Sequence, residues 1–302
     1  MRLTLRNIVS YFIAKILIGT GFVKRANQGA REGNYILSIY FHNPSQRLFI
    51  QCIKWLQKVG YSFIDIETLK GVVKGEIPFP KGVVIITVDD GWRENKNNIV
   101  TVANQYHIPV AIFITTQPVE DGTAYWWSYI KAEKQKGITK YSVEDLKRIN
   151  NEARLSVVAL LQKKMESLPR EALSITEIQE IAVSPFITIG SHTVSHPILT
   201  MCSDEKALSE IRESKNKIES WIQKTVDSFA FPNGSFSQRD VQMLNEKGFQ
   251  LSFTTEPKYL TEASLNEMYR LPRFEVLDNV SFAENICRMS GVWFQRSFLK
   301  SR

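Results

Sequence analysis

The sequence predicts an α/β fold, in which a mostly parallel sheet, open or closed into a barrel, carries helices on its outside. Short apolar runs typical of buried strands alternate with segments of helical periodicity after the first thirty residues. Two pairs of polar residues, Asp89-Asp90 and His192…His196, each follow such a run. Because functional groups in α/β folds collect at the carboxyl ends of the strands, we expect the two pairs to meet at one site.

The predicted elements follow one another from residue 35 onward. The first half contains, in chain order, a strand over 35–41, a helix over 46–59, a strand over 83–88, a helix over about 94–106 and a strand over 110–114. The second half contains a strand over 186–189, a helix over 204–223, a strand over 229–231, a helix over 241–247 and a strand over 251–254. This alternation is typical of parallel pairing.

Residues 1–30 form an amphipathic segment ahead of a single domain over 31–302. Leu5, Ile8, Phe12 and Ile16 share one side of a helix. The apolar stretch is too short for a membrane span, and no convincing cleavage site follows it. We expect a segment that lies on a bilayer or packs on the domain, with a cytoplasmic or membrane-associated location. A signal anchor that places the domain outside the cytoplasm stays open.

The alternation breaks between about residues 117 and 175. This stretch begins with Tyr125-Trp126-Trp127 and continues as a helical segment rich in Lys and Glu. No linker of Pro, Gly or Ser flanks it, so we interpret it as a helical insertion within one domain.

Composition narrows the function classes. A chain of 302 residues with 43% hydrophobic and 23% charged residues is long enough for a full core. The net charge of +7 comes from dispersed residues, without the basic-aromatic cluster that would indicate nucleic acid binding. Two roles of this positive charge stay open: a basic surface that is simply solvated, or attraction to an anionic glycan or membrane surface. The three cysteines are too dispersed for a disulfide framework or a thiolate metal site.

The two polar pairs suit a metal-assisted hydrolase. His192 and His196 are four residues apart, so their rings would point the same way on one helical turn. Adjacent carboxylates on an extended chain point in different directions, so one of Asp89 and Asp90 would bind the metal. The other would take a proton from the attacking water. The alternative is an acidic turn that only closes a hairpin or caps a helix.

Two motifs resemble those of the NodB-like polysaccharide deacetylases. The T-V-D-D-G sequence at 87–91 resembles their T-F-D-D-G motif, and S-H-T-V-S-H-P at 191–197 resembles their S-H-T-x-x-H-P motif. The resemblance covers roughly residues 35–290. It implies a distorted (β/α) barrel, a divalent metal that is usually zinc, and removal of acetyl groups from glycans. By position, it implies Asp89 as general base and, as metal ligands, Asp90, His192 and His196.

The chain departs from the family pattern in three places. The R-P-P-Y-G motif is replaced by A-F-P-N-G at 230–234, so its Arg and Tyr are absent. By resemblance to a subgroup with L-P-R near the end, Arg273 replaces the arginine that steadies the base. Asn233 can replace the tyrosine, because the oxyanion is held by a main-chain N–H. A surface or structural arginine is the alternative for Arg273.

The third departure is that no histidine follows His196. His42 ends the first strand in Y-F-H-N, which resembles the Y-H motif of the poly-N-acetylglucosamine deacetylase branch. We therefore expect His42 to protonate the departing amine. Trp126 and Trp127 would form a stacking platform for a sugar ring or, alternatively, anchor the insertion to the barrel.

The residues predict a metal-dependent hydrolase, and the resemblance implies that it uses zinc and removes N-acetyl groups from a cell-surface polysaccharide or its precursor. Three alternatives remain open: an amidohydrolase with a non-glycan substrate on the same fold, a non-haem iron oxygenase that uses two His and one carboxylate, and a glycan-binding protein that has lost catalysis.

Overall fold

The computed structural model describes residues 4–164 and 168–295. Residues 1–3 of the predicted N-terminal segment, residues 165–167 of the predicted insertion and residues 296–302 at the end of the predicted domain lie outside the described part.

A parallel sheet forms the centre of the described structure. Its strands are β1 (Leu37–Phe41), β2 (Ser62–Ile64), β3 (Val83–Val88), β4 (Val110–Ile114), β5 (Ile187–Ser191), β6 (Ser228–Ala230), β7 (Leu251–Phe253) and β8 (Phe274–Glu275). They are ordered β7-β6-β5-β4-β3-β1-β8, and β2 pairs with the first half of β3. A parallel bridge between Phe253 and Leu271 brings the chain ahead of β8 back to β7, so the sheet curls towards closure. This is the predicted distorted (β/α) barrel.

Helices cover the sheet. They are α1 (Leu5–Gly19), α2 (Phe22–Glu32), α3 (Gln46–Lys58), α4 (Ile66–Val73), α5 (Thr101–Tyr106), α6 (Thr116–Asp121), α7 (Trp126–Gln135), α8 (Val143–Lys147), α9 (Asn151–Lys164), α10 (Ile175–Ala182), α11 (Asp204–Ile222), α12 (Gln238–Glu246) and α13 (Phe282–Met289). Helices α6–α10 lie between β4 and β5, where the sequence predicts the insertion.

The central strands are apolar on both faces because the sheet is buried on both sides. Every residue of β1, β3 and β4 is buried. Along β3, Val84 and Ile86 pack in one core cluster, while Val83 and Ile85 pack in a second cluster with Phe253. The alternation fixes the register of β3 and so the direction of the residues that follow it.

Several predicted boundaries need correction. The helix predicted over 94–106 begins as a π-helical turn (Lys96–Val100) and becomes α-helical only over α5. The strand predicted over 186–189 begins one residue later and extends to Ser191. The sequence analysis missed β2 and β8, because strands of two or three residues are too short to show an alternating pattern.

Helix α1 docks on the domain through a side that combines Asn7 and Ser10 with Ala14, Leu17 and Ile18. Asn7, Ser10 and Ala14 are buried, whereas Phe12 and Ile16 are 62% and 63% exposed. The apolar side predicted for this segment therefore faces outward. Among the described residues no single helix is long and apolar enough to cross a bilayer. Helices α1 and α2 reach that length and composition together, but they meet at a bend of 57°.

Candidate metal centre and active site

The carboxyl ends of the strands converge on one cavity of about 540 Å³. His42 follows β1, Asp89 and Asp90 follow β3, and His192 follows β5, and all four line this cavity. Asn233, which follows β6, lines it as well. Parallel pairing places all these strand ends at the same edge of the sheet, so residues far apart in sequence become neighbours.

Three buried donor atoms lie within reach of one cation. Asp90 Oδ1 is 3.5 Å from Nε2 of His192 and 3.5 Å from Nε2 of His196. The three ligand atoms all lie within 4.8 Å of one another. Asp90 Oδ1 is buried without a hydrogen-bond partner among the described residues. A buried carboxylate oxygen is rarely left in this way, so the geometry fits a divalent cation held by two imidazoles and one carboxylate.

The environment of His192 prepares its Nε2 for a metal. Its Nδ1 lies 2.7 Å from the carbonyl oxygen of Ala230, so in the neutral ring Nδ1 donates there and Nε2 keeps its lone pair. Burial lowers the pKa of His192, but the contact with Asp90 and the negative charges of Asp89 and Asp90 together outweigh burial, and the net pKa lies above the ordinary value. A divalent cation would compete with that proton for Nε2.

His196 is prepared differently. Burial, with a smaller contribution from His192, lowers its pKa to about 3, so the ring is neutral near pH 7. The burial of Asp90 raises the pKa of its carboxyl, but the contact with His192, together with the influence of His42 and His196, brings the net pKa well below the ordinary value. One neutral imidazole and one carboxylate are therefore already in the protonation states that a metal requires.

The two histidines do not lie on a helical turn, which corrects the expectation from their spacing. Residues 192–196 form a loop with positive φ at Thr193 (68°) and His196 (51°). The buried Glu210 of α11 holds this loop, because its carboxylate accepts the N–H groups of Val194 and Ser195. The loop brings the two rings together with centroids 4.8 Å apart.

Asp89 is paired with Arg273, which is fully buried. Two guanidinium nitrogens donate to the two carboxylate oxygens, both at 2.8 Å. Arg273 is held in turn by Thr87 Oγ1 at 2.8 Å and by the carbonyl of Thr254 at 2.9 Å. Burial raises the pKa of Asp89, but the charge of Arg273 leads the opposing influences and the net pKa lies below the ordinary value. Asp89 is therefore ionised and fixed beside the three ligand atoms.

Two supports of Asp90 were missed by the sequence analysis. Trp92 Nε1 donates to Asp90 Oδ2 at 2.9 Å, and the Tyr125 hydroxyl donates to the main-chain carbonyl of Asp90 at 3.0 Å. Asp90 itself has a φ of 75°, so its backbone needs such support. The sequence indicates the Trp92 contact only through the position of Trp92, two residues after Asp90, and it gives no comparable indication of the Tyr125 contact.

His42 lies at the wall of the cavity, with 42% of its side chain exposed. Its Nδ1 is 3.9 Å from Oε1 of Glu275, which belongs to β8. Exposure of this kind allows the His42 side chain to reach a substrate in the cavity. Among the described residues, His107 lies away from this cavity, in the turn after α5.

Asn233 has a left-handed backbone with a φ of 57°. Its side-chain Oδ1 accepts a hydrogen bond from Lys147 of the insertion at 3.0 Å, and its carbonyl accepts one from the Thr255 hydroxyl at 3.3 Å. Asparagine tolerates this conformation better than most residues, which suits it to a turn at the edge of the cavity.

The two tryptophans do not form one platform, which corrects the pairing predicted from sequence. Trp127 lines the cavity of the candidate metal centre, with its ring 4.7 Å from that of His196. One of its faces is already stacked on Tyr125, at 4.6 Å and 5°. Trp126 lines a neighbouring cavity of about 510 Å³ instead. Successive residues of a helix point about 100° apart, so α7 directs the two rings to different places.

Comparison with known proteins agrees with this geometry. The sequence profile of the polysaccharide deacetylase family matches residues 76–252. YxkH of Bacillus subtilis is 20% identical over 230 residues, which make up 76% of this chain and 64% of YxkH. The chain therefore spans less than two thirds of that relative's length.

Solved structures share the fold. The deacetylase PplD of Streptococcus pyogenes, in complex with acetate, aligns with a TM-score of 0.61 and 18% identity over 85% of this chain and 97% of PplD. IcaB of Ammonifex degensii aligns with a TM-score of 0.61 and 16% identity over 85% of this chain and 97% of IcaB. The profile match spans more than half of the chain and includes both motifs of the cavity, so the chain belongs to the NodB-like polysaccharide deacetylase family.

Proposed function

We propose that this protein is a zinc-dependent N-deacetylase that acts on N-acetylated sugars of a cell-surface polysaccharide or its precursor. The observation that carries the proposal is the arrangement of two carboxylates with different partners in one cavity. Asp90 leaves one oxygen beside two imidazoles, while both oxygens of Asp89 are held by Arg273. The first arrangement suits a metal ligand and the second suits a fixed base.

The metal would be held by Asp90, His192 and His196. Two nitrogen ligands and one carboxylate, with positions left open, are typical of catalytic zinc. When bound, a divalent cation polarises the acetamide carbonyl and lowers the pKa of water.

The protein's own groups would move the protons. Asp89 takes a proton from the attacking water, because Arg273 keeps it ionised and fixes its direction. His42 donates a proton to the departing amine, since its ring lies at the cavity wall and is half exposed. The main-chain N–H of Asn233 donates to the oxygen of the acetamide as negative charge develops there.

The walls of the cavity suit a sugar substrate. The insertion contributes Trp127, Lys131, Glu144 and Lys147, which combine an aromatic edge with charged hydrogen-bonding groups. Polar groups beside an aromatic ring fit the hydroxyl-rich and apolar sides of a pyranose.

Metal analysis paired with an acetate assay tests the proposal. The purified protein should contain close to one zinc per chain and release acetate from chitooligosaccharides or poly-N-acetylglucosamine fragments. A chelator should remove the bound zinc and abolish acetate release, and added zinc should restore both. Binding of these glycans without acetate release would instead support a glycan-binding protein. Acetate release from small amides alone would support a non-glycan amidohydrolase. Turnover that needs oxygen and a 2-oxo acid would support the iron oxygenase.

We also propose that the enzyme is membrane-associated through the outward face of α1. Leu5, Ile8, Phe12 and Ile16 present large apolar side chains that the domain does not cover. The basic residue Lys15 of α1 is exposed next to Ile16 in sequence, and Lys24 and Arg25 of α2 are exposed as well. An exposed apolar helix face accompanied by cations suits an anionic bilayer surface, where the helix lies in the plane of the interface.

Vesicle sedimentation tests the membrane contact. The protein should sediment with vesicles that contain phosphatidylglycerol, and the double variant Phe12→Glu/Ile16→Glu should stay in the supernatant. Val183→Glu is the control, because Val183 is an apolar residue outside α1 that is even more exposed than Phe12 and Ile16. Failure of the unchanged protein to sediment with anionic vesicles would refute the contact.

A further inference from the structure

Arg154 of α9 is a buried cation in an unusual environment. It is only 2% exposed, and no carboxylate lies within ion-pair distance of it among the described residues. Burial lowers its pKa to about 10, so the guanidinium remains charged near pH 7. Burial of a charge without a paired carboxylate is unfavourable, so the arrangement requires compensating contacts.

The contacts of Arg154 lead to the candidate metal centre. Nη1 donates to the main-chain carbonyl of His196 at 2.7 Å, and Nη2 donates to Asn151 Oδ1 at 2.7 Å. The guanidinium also lies 4.8 Å from the ring centre of Trp126. Asn151 and Trp126 belong to the insertion, whereas His196 belongs to the loop after β5. Arg154 therefore joins the insertion to a residue that supplies one of the three ligand atoms.

The carbonyl of His196 needs a fixed donor. His196 has a φ of 51°, in the left-handed region, and it precedes Pro197, which restricts the backbone of the residue before it. Such a conformation persists only where the surroundings hold it. On the N-terminal side, the N–H of His196 is held by Thr193 Oγ1 at 3.1 Å. On the carbonyl side, Arg154 supplies the charged donor.

We propose that Arg154 is a positioning residue that holds His196 in its metal-binding conformation, so that the helical insertion forms part of the metal site. This inference rests on the proposed metal-dependent function. It assigns the insertion a role beyond shaping the cavity wall: α9 sets the direction of the His196 ring through its main chain. Glu210 holds the preceding part of the same loop, so the loop lies between a buried anion and a buried cation.

The test compares zinc affinities of folded variants by competition with a chelator. Arg154→Met removes the donors and should weaken zinc binding by about 10- to 100-fold, the usual effect of removing a support of a metal ligand. Arg154→Lys keeps the charge but has one donor nitrogen in place of the two that reach His196 and Asn151, so it should recover part of the affinity. Arg148→Met is the control, because it removes an exposed arginine from the same insertion. The Co²⁺ absorption spectrum should change in Arg154→Met and stay unchanged in the control.

The outcomes separate a positioning role from a merely structural one. A structural arginine would lower the melting temperature of the metal-free protein and leave zinc affinity unchanged, which would overturn the inference. If Arg154→Met does not fold, Asn151→Ala removes one partner of the guanidinium and should give a smaller loss of affinity. Unchanged affinity in that variant would also overturn it. If the unchanged protein binds no divalent metal, the proposed function fails as well.

Discussion

Arg273→Met probes the pair that fixes the proposed base. Methionine keeps most of the apolar volume of the side chain but removes every donor. The Asp89 carboxylate then loses two hydrogen bonds of 2.8 Å and, within the described part of the chain, its only cation at that distance. Thr87 and the carbonyl of Thr254 lose their partner as well. The perturbation leaves a buried charge without a counter-charge.

The expected magnitude follows from the complete burial of the pair. Arg273 is 0% exposed and Asp89 is 1% exposed, so solvent can replace the lost partner only to a small extent. Removing one member of a buried ion pair typically destabilises a protein by about 3–5 kcal/mol. Since total stabilities are only about 5–15 kcal/mol, the variant should be clearly weakened but still folded at low temperature.

The dependence on pH has a definite sign. In the unchanged protein the pKa of Asp89 lies below its ordinary value of 3.8, so its contribution to stability is present above pH 3.8 and is lost as the pH falls through the lower folded value. Without Arg273, burial is the main remaining influence and raises the pKa of Asp89 above 3.8. The carboxyl then destabilises the folded state as the pH rises through that range. The stability difference between the two proteins should therefore grow from acidic to neutral pH.

Urea unfolding of the metal-free proteins across this pH range provides the assay. Arg47→Met is the control, because Arg47 is exposed on α3 and should change stability little at any pH. The double variant Asp89→Asn/Arg273→Met removes the unpaired charge and should recover part of the loss. A neutral-pH stability equal to that of the unchanged protein, or a difference that shrinks as the pH rises, would refute the reasoning.

Three further substitutions test individual roles. His42→Ala should lower kcat for acetate release by about 10²- to 10⁴-fold with zinc content unchanged. Full activity of this variant would show that His42 is not the general acid. His107→Asn is the control. Asp90→Asn should abolish zinc binding, measured by metal analysis, and a full zinc content would show that Asp90 is not a ligand. Asn233→Gly keeps the main-chain N–H and tolerates the φ of 57°, so acetate release should persist; its loss would assign the role to the side chain.

Elements with a strong local pattern could be predicted from the sequence. The runs of β3 and β4 are apolar throughout, because both faces of these strands are buried, and they were recognised within one residue of their bounds. The placement of Asp90, His192 and His196 in one cluster was also predictable. Parallel strands bring their carboxyl ends together, so a polar residue after each strand already indicates the site.

Features that depend on tertiary contacts could not be predicted in the same way. The left-handed backbone of His196 is held by Glu210 and Arg154 through its loop, and spacing alone suggested a helical turn. The separation of Trp126 from Trp127 depends on where α7 begins, which the sequence does not show to one residue. Resemblance pointed to Arg273, but its contact with Asp89 spans 184 residues and only the folded chain shows it.

The adjacent residues Asp89 and Asp90 illustrate how surroundings give one residue type two uses. Both carboxyls are buried, and both have a pKa below the ordinary value. A guanidinium binds both oxygens of Asp89, so that carboxylate has a permanent cation. Imidazoles surround Asp90, whose Oδ1 has no hydrogen bond among the described residues and whose cation must come from elsewhere. Arg273, rather than any difference between the two aspartates, therefore separates the base from the metal ligand, because it occupies one carboxylate and leaves the other open.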